Sequence, residues 1–325
     1  MPGYSSILIY VGLDLVGDGL LKLPFARRLR ANWPDARIVW CAGKGPSVYA
    51  TTLKPLVDGL IDETIENAGF GSSWGDLLTR PLGGRDFDLV IDTQRRFSTS
   101  LAVRRVRHRR FVSGAAGWFL SDGKPARRAK PRSMDAQLSQ LIEAAGGDPN
   151  IATAPLRLPA HAVADSRTLL PDGQTYVVLA PGAGNREKCW PLERFIALGH
   201  RLSARNIVPV FQLGPNETDW EASCRAVPGA ILPIQDAIAR KIDTSPALTI
   251  ALAQRCKAAV ANDAGGGHML AAGDVGLVSL FGPTDPAKFA PAAQRLTVIR
   301  AQDFGAPTMD AIPLEAVEKA LAAYL

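Results

Sequence analysis

Four short stretches of this 325-residue chain carry residue types that can do chemistry. The first is Gly12-Leu13-Asp14-Leu15-Val16-Gly17-Asp18-Gly19, which follows an apolar strand pattern and precedes a helical one. A dinucleotide fingerprint needs G-x-G-x-x-G at this place, and the glycines here stand at 12, 17 and 19. No Gly-Lys-Ser/Thr closes the loop either, so it is not a Walker cradle, and the spacing speaks against a nicotinamide enzyme. The loop instead presents two carboxylates at a strand's carboxyl end. Asp18, at the mouth of the helix, is open to two readings: an N-cap that accepts from backbone N–H groups, or a base that takes the proton of an attacking hydroxyl.

The second stretch is Ala180-Pro181-Gly182-Ala183-Gly184-Asn185-Arg186-Glu187-Lys188-Cys189-Trp190-Pro191. Small residues let the backbone approach a ligand, and Lys188 arrives just before a helix that starts at Pro191. Backbone N–H groups, a helix N-terminus and a lysine together suit a phosphate. The plainer alternative is a strand-to-helix loop with an exposed lysine. The third, Ala261-Asn262-Asp263-Ala264-Gly265-Gly266-Gly267-His268, sets three glycines at a helix entrance, where free N–H groups can face a diphosphate. Asp263 can hydrogen-bond sugar hydroxyls, and His268 is either a phosphate contact or an ordinary helix histidine. The fourth, Leu280-Phe281-Gly282-Pro283-Thr284-Asp285-Pro286, is a strand end with a turn. Together the last three put polar loops on one rim of the second half, which says more than any one of them alone.

Alternating strands and helices must position these loops. In the first half SSILIYVG, ARIVWCAG, LIDETIEN, FDLVIDTQ and RRFVSG read as strands. GLLKLPFARRLRANWP reads as a helix, and another helical stretch begins near Pro46. Residues 121–133 read as a loop and Met134–Ala145 as a helix stopped by Gly146-Gly147. A linker is expected between Asp148 and Gly173. The second half repeats the grammar: TYVVLAPGAG, IVPVFQLG, AAVANDAG and VGLVSLFGP as strands, with helices between them and a short amphipathic helix from Pro313 to Leu325. Continuous apolar strands alternating with helices imply α/β architecture with parallel sheets covered on both faces. The expectation is two doubly wound domains facing a central cleft, residues 1–160 and 161–325, with the C-terminal helix free to pack back on the first.

Composition narrows the setting. Hydrophobic residues make up 47% of the chain, enough for two cores, and no apolar run approaches the length of a spanning helix. The N-terminus lacks a basic n-region and a small-residue cleavage site, and the four cysteines form no CxxC pair. A cytoplasmic protein without zinc or disulfides is expected. The net charge of +6 lies wholly in residues 1–150. Between Arg95 and Arg132 twelve Lys and Arg face one acid, Asp122. This run reads as a solvated segment, or as a docking surface for a phosphorylated acceptor or an anionic membrane face. No nucleic-acid signature accompanies it. Arg104, Arg105 and Arg107 are the candidate acceptor-binding residues.

In their order and content the four stretches resemble glycosyltransferase family 9, the heptosyltransferases of lipopolysaccharide core assembly. Gly17-Asp18 with Leu23-Pro24 is similar to the family's G-D-x-x-x-x-x-P element. Pro181-Gly182-Ala183 with Lys188-Cys189-Trp190-Pro191 is similar to its P-G-A…K-x-W-P element. Asn262-Asp263, Gly265 and His268 match N-D-x-G-x-x-H, and Phe281–Pro286 matches F-G-x-T-x-P. The resemblance implies a GT-B fold, an N-terminal acceptor domain and a C-terminal nucleotide-sugar domain. It implies inverting transfer without a metal or cofactor, an ADP-sugar donor as substrate, and Asp18 as general base. Donor contacts are implied at Gly182, Ala183, Gly184, Lys188, Asp263, Ala264, Gly265, Gly266 and His268, with Glu217 on the ribose hydroxyls. The implied acceptor is an anionic glycolipid met at the cytoplasmic face of the inner membrane. The sequence departs from the pattern at Leu13–Val16, Gly184–Glu187 and Ala264, where the family often carries hydroxyl residues. Those departures keep two alternatives open: another nucleotide sugar, of a hexose or N-acetylhexosamine, or a nucleotide-binding module that no longer catalyses.

Overall fold

Among the described residues the apolar runs form ten strands in two five-stranded sheets, and every pairing is parallel. The computed structural model describes residues 2–13, 16–71 and 80–325. It divides into two compact units, Met1–Ala154 and Pro155–Leu325.

The first unit runs β1 (Ser6–Val11), α1 (Val16–Asn32), β2 (Arg37–Ala42), α2 (Lys54–Val57), β3 (Glu63–Ile65), β4 (Asp86–Asp92), α3 (Phe97–Val103), β5 (Arg107–Ser113) and α4 (Met134–Ala145). Its sheet order is β3-β2-β1-β4-β5. Ile7 to Val11 are buried without a break, as expected of a strand covered on both faces. The chain moves outward from β1 to β3 and then returns to the other side of β1, so the loops after β1 and β4 diverge at one crevice. Such a switch point is where open α/β sheets bind ligands. The two loops touch there: a Cβ on Gly12 would lie 2.9 Å from Gln94 Oε1. The α4 reading holds in detail. Ser133 Oγ accepts from Ala136 N, and Gly146, at φ 90°, ends the helix in the left-handed conformation that suits glycine.

The second unit runs α5 (Ala160–Leu169), β6 (Tyr176–Ala180), α6 (Leu192–Ser203), β7 (Val208–Phe211), α7 (Glu221–Arg225), α8 (Pro233–Ala239), α9 (Pro246–Gln254), β8 (Ala258–Asn262), α10 (Gly265–Ala272), β9 (Gly276–Phe281), α11 (Pro286–Phe289), β10 (Leu296–Arg300) and α12 (Leu314–Ala322). The order β10-β9-β8-β6-β7 puts its switch point between β6 and β8. One face of the sheet is covered by Phe195, Leu198 and Leu202 of α6 with Val317 and Leu321 of α12. The other is covered by Leu248 and Leu252 of α9 with Leu270 and Ala271 of α10.

Some elements differ from expectation. The stretch read as a linker, 148–173, contains α5, which packs on α9. The units divide at Ala154/Pro155 rather than after residue 160. The C-terminal helix spends its apolar face in the core of the second unit, because Val317 and Leu321 are needed there. The helical stretch expected near Pro46 is mostly turns, with only the single turn of α2. α3 was hidden in the basic run, and β10 is only half-buried and so gave a weak apolar signal.

Candidate active site

The switch point of the second sheet gathers the glycine-rich loops. Asn262, the buried last residue of β8, holds them together: its Nδ2 donates to Pro181 O at 2.7 Å, and its Oδ1 accepts from Trp190 N at 3.0 Å. The exit of β6 and the approach to α6 are thereby fixed to the end of β8. A cavity of about 550 Å³ opens beside them, lined by Gly182, Ala183, Gly184, Gly214, Glu217, Ala264, Gly265 and Gly266. Leu213, Ile234, Ile238 and Met269 give it an apolar wall. Its size suits a nucleotide, with room for a flat base against the apolar side.

Glu217 is the buried acid of this cavity, 4% exposed. Its Oε2 accepts from Gly214 N at 2.9 Å. The carboxyl group lies directly over Gly182, where an added Cβ would come within 2.5 Å of it. Gly182 is therefore glycine because Glu217 occupies the space of a side chain. Gly184, Gly265 and Gly266 differ: a Cβ there would meet nothing within 4 Å. Their bare backbones leave open space in front of the first turn of α10, whose N-cap position, Ala264, offers no side-chain cap. The first N–H groups of that turn have no side-chain acceptor at the N-cap, an arrangement that suits an anion.

Lys188, Asp263 and His268 form a second cluster beside this cavity rather than in its lining. Lys188 Nζ pairs with Asp263 Oδ2 at 3.1 Å, and Thr284 Oγ1 donates to the same oxygen at 2.6 Å. Burial holds the His268 imidazole below its ordinary 6.5, while the charge of Asp263 pulls the other way. A neutral ring donates one N–H without adding a charge.

In the first unit Asp18 lies within the first turn of α1, two residues inside the helix rather than at its N-cap. It is half-buried, and its side chain makes no hydrogen bond or ion pair among the described residues. Asp14, the other carboxylate of that loop, lies outside the described residues. Asp92, the buried last residue of β4, accepts from the Ser100 and Ser113 hydroxyls and from Gln94 N. Burial raises its carboxyl to about 6 against those three hydrogen bonds.

Topology places the arginines expected at the acceptor on the other edge of the sheet from Asp18. Arg104, Arg105 and Arg107 stand at the amino end of β5, and Asp18 follows the carboxyl end of β1 in the same parallel sheet. A strand length of roughly 20 Å separates the two edges. Arg104 is also engaged, donating to Leu120 O and to Asp122, and Arg107 pairs with Asp86.

Three contributors escaped the sequence reading. Asn262 latches β6, β8 and the approach to α6 together. Thr284 turned out to share Asp263. Arg186 stacks on Trp220 at 4.1 Å and pairs with Asp219 at 3.0 Å, which folds the 214–220 loop into a cavity wall. The repeated occurrence of polar residues at strand ends was the available signal. Their partners, 21 to 81 residues away, were not visible.

Comparison with known proteins places this geometry. Residues 77–313 match the model of glycosyltransferase family 9 (heptosyltransferase). The chain is 26% identical over 311 residues to lipopolysaccharide heptosyltransferase 3 of Escherichia coli, covering 90% of this chain and 89% of that protein. Among solved structures it resembles the family 9 glycosyltransferase of Veillonella parvula, with a TM-score of 0.72 at 18% identity over 100% of this chain and 98% of that one. It also resembles the E. coli heptosyltransferase WaaC with ADP, with a TM-score of 0.65 at 18% identity over 98% of this chain and 100% of that one. The two Rossmann-like units thus have the GT-B fold. The chain belongs to glycosyltransferase family 9, the heptosyltransferases, and is a glycosyltransferase.

Proposed function

We propose that this chain transfers a heptose from ADP-heptose to the inner core of lipopolysaccharide or a related anionic glycan, inverting the anomeric centre without a metal or cofactor. The observation that carries the reading is the cavity in which buried Glu217 and the open backbones of Gly184, Gly265 and Gly266 lie together. A carboxylate accepts the two hydroxyls of a ribose, and the glycine N–H groups with the α10 N-terminus accommodate a diphosphate. The apolar wall takes the base.

The chemistry follows from this arrangement. Asp18 removes the proton of the acceptor hydroxyl as its oxygen bonds to the anomeric carbon from the face opposite the leaving group. The bond from that carbon to the diphosphate oxygen breaks, and its electron pair leaves with the nucleotide. Lys188, the first turn of α10 and the His268 N–H oppose the charge that develops there. The reaction takes place at the cytoplasmic face of the inner membrane, where a lipid-anchored acceptor is held.

Calorimetry with ADP, UDP and GDP, followed by transfer assays with ADP-heptose, tests the reading. ADP should bind most tightly, and product NMR should show an inverted linkage. Preference for UDP or GDP would support a different donor, to which the Ala264 departure already draws attention. Binding of none would favour a non-catalytic module.

A further inference from the structure

The connection from β5 to α4 carries Lys124, Arg127, Arg128, Lys130 and Arg132, all exposed. Its backbone is nonetheless pinned. Gln140 Nε2 donates to the carbonyls of Arg127 and Ala129 at 2.6 and 2.9 Å, Trp118 Nε1 to that of Arg128 at 3.2 Å, and Gln137 Nε2 to that of Pro131 at 2.9 Å. The loop is thus fixed through its main chain while its cationic side chains are left over. None of the five has an acidic partner among the described residues. At the amino edge of the same sheet the arginines are paired: Arg85 with Glu63, Arg107 with Asp86, and Arg109 with Asp88.

The connection runs along α4 from its end, where Gly123 lies against Ala144 O, to its start, so Arg128, Lys130 and Arg132 reach the carboxyl edge and Lys124 lies toward the amino edge. Two aromatic side chains stand at the carboxyl rim. The turn leaving β5 holds Ala116 at φ 47° and Trp118 at φ 73°, left-handed backbone that side-chain residues rarely adopt. It buries Trp118 and leaves Phe119 80% exposed. Phe97, at the head of α3, is 48% exposed. Met134 and Gln137, at the start of α4, line a small cavity with Thr93, Arg95 and Gly114, which places the start of α4 at the carboxyl edge.

Fixed, unpaired cations around exposed phenylalanines are complementary to anionic headgroups over an apolar interior. A soluble polyanion would satisfy the cations and leave both rings in water. We propose that this rim, beyond edge strand β5, docks on an anionic lipid bilayer. The inference rests on the reading of the acceptor as a lipid-anchored glycan. The carboxyl end of β1, after which Asp18 follows, lies on the same edge two strands away, roughly 10 Å at ordinary strand spacing. Docking there would bring the proposed base to the bilayer surface.

Vesicle flotation of the full chain tests this. The chain should partition onto phosphatidylethanolamine vesicles containing phosphatidylglycerol, not onto phosphatidylcholine vesicles, and less so as salt is raised. Each reversal among Arg128→Glu, Lys130→Glu and Arg132→Glu should weaken partitioning at least about fivefold, the equivalent of about 1 kcal/mol for the lost cation, with the new carboxylate weakening it further. Phe119→Ser should reduce the binding that survives at high salt. The pair Arg105→Glu/Arg107→Glu, at the opposite edge, should change nothing. Three results would overturn the proposal: equal losses from both edges, no preference for anionic vesicles, or polyphosphate binding through the rim without vesicle uptake. Flotation needs neither donor nor acceptor, so it still reports on the rim if the ADP-heptose reading fails. Unchanged thermal melting of the rim variants excludes misfolding as the cause of a loss.

Discussion

Glu217 and Gly182 show how one residue's identity is set by another's position. The carboxyl group lies where a side chain at 182 would go. Gly182→Ala should displace it and weaken ADP binding in calorimetry, with a much smaller change in melting temperature than in affinity. Asp18 stands in the first turn of α1 with no internal partner for its side chain. Asp18→Asn should lower kcat by about 10²–10⁴-fold and leave ADP affinity nearly intact; retention of most turnover would refute the base assignment. Lys188 is held by Asp263, which Thr284 shares. Lys188→Ala should weaken ADP roughly tenfold to a hundredfold, the value of a charge-assisted hydrogen bond. Part of that loss comes from the carboxylate left without its cation, so Lys188→Ala/Asp263→Asn should bind ADP better than Lys188→Ala alone.

At the scale of elements, the strand ends carry the organisation. Asn262 connects β8 to the exit of β6 and the entry of α6 by two hydrogen bonds made in the interior. Asp92 has the matching place in the first unit, connecting β4 to α3 and β5 through Ser100 and Ser113. Its carboxyl is raised from 3.8 to about 6 by burial. Between those values the folded chain binds more protons than the unfolded one, so this group's contribution to stability falls as pH rises through that window. Melting temperatures of the native chain and Asp92→Asn, compared from pH 4 to pH 7, check the sign. The native chain should lose ground to the variant as the pH rises, and a constant difference would show that Asp92 does not titrate in this range.

For the molecule as a whole, charge is sorted by sheet edge more than by position in sequence. One basic run, Arg95 to Arg132, supplies both the paired arginines at the amino edge and the unpaired cations at the carboxyl edge. Arg105→Glu/Arg107→Glu should therefore leave the acceptor Michaelis constant unchanged in a transfer assay. A rise would support an acceptor role for those positions. No helix among the described residues is long and apolar enough to cross a membrane.

The sequence alone determined the α/β grammar, the two-unit organisation and the four loops, because each is written locally. Strands are continuous apolar runs, helix ends carry their caps and glycines, and the loops hold glycines and ionisable residues in consecutive order. It led to the family by the same local signals. Only the tertiary structure decided which residues meet. The Glu217–Gly182 contact, the Asn262 latch and the sharing of Asp263 by Lys188 and Thr284 join segments far apart in the chain. Only the strand order revealed that Arg104, Arg105 and Arg107 sit a strand length from Asp18, since a parallel sheet sends the two ends of every strand to opposite edges. Short elements such as α3 and β10 remained hidden because too few of their residues are buried to impose a period. Asp18 drew attention in the sequence as a loop carboxylate between glycines. The fold sets it inside the first turn of α1, on the same edge as the switch point of the first sheet.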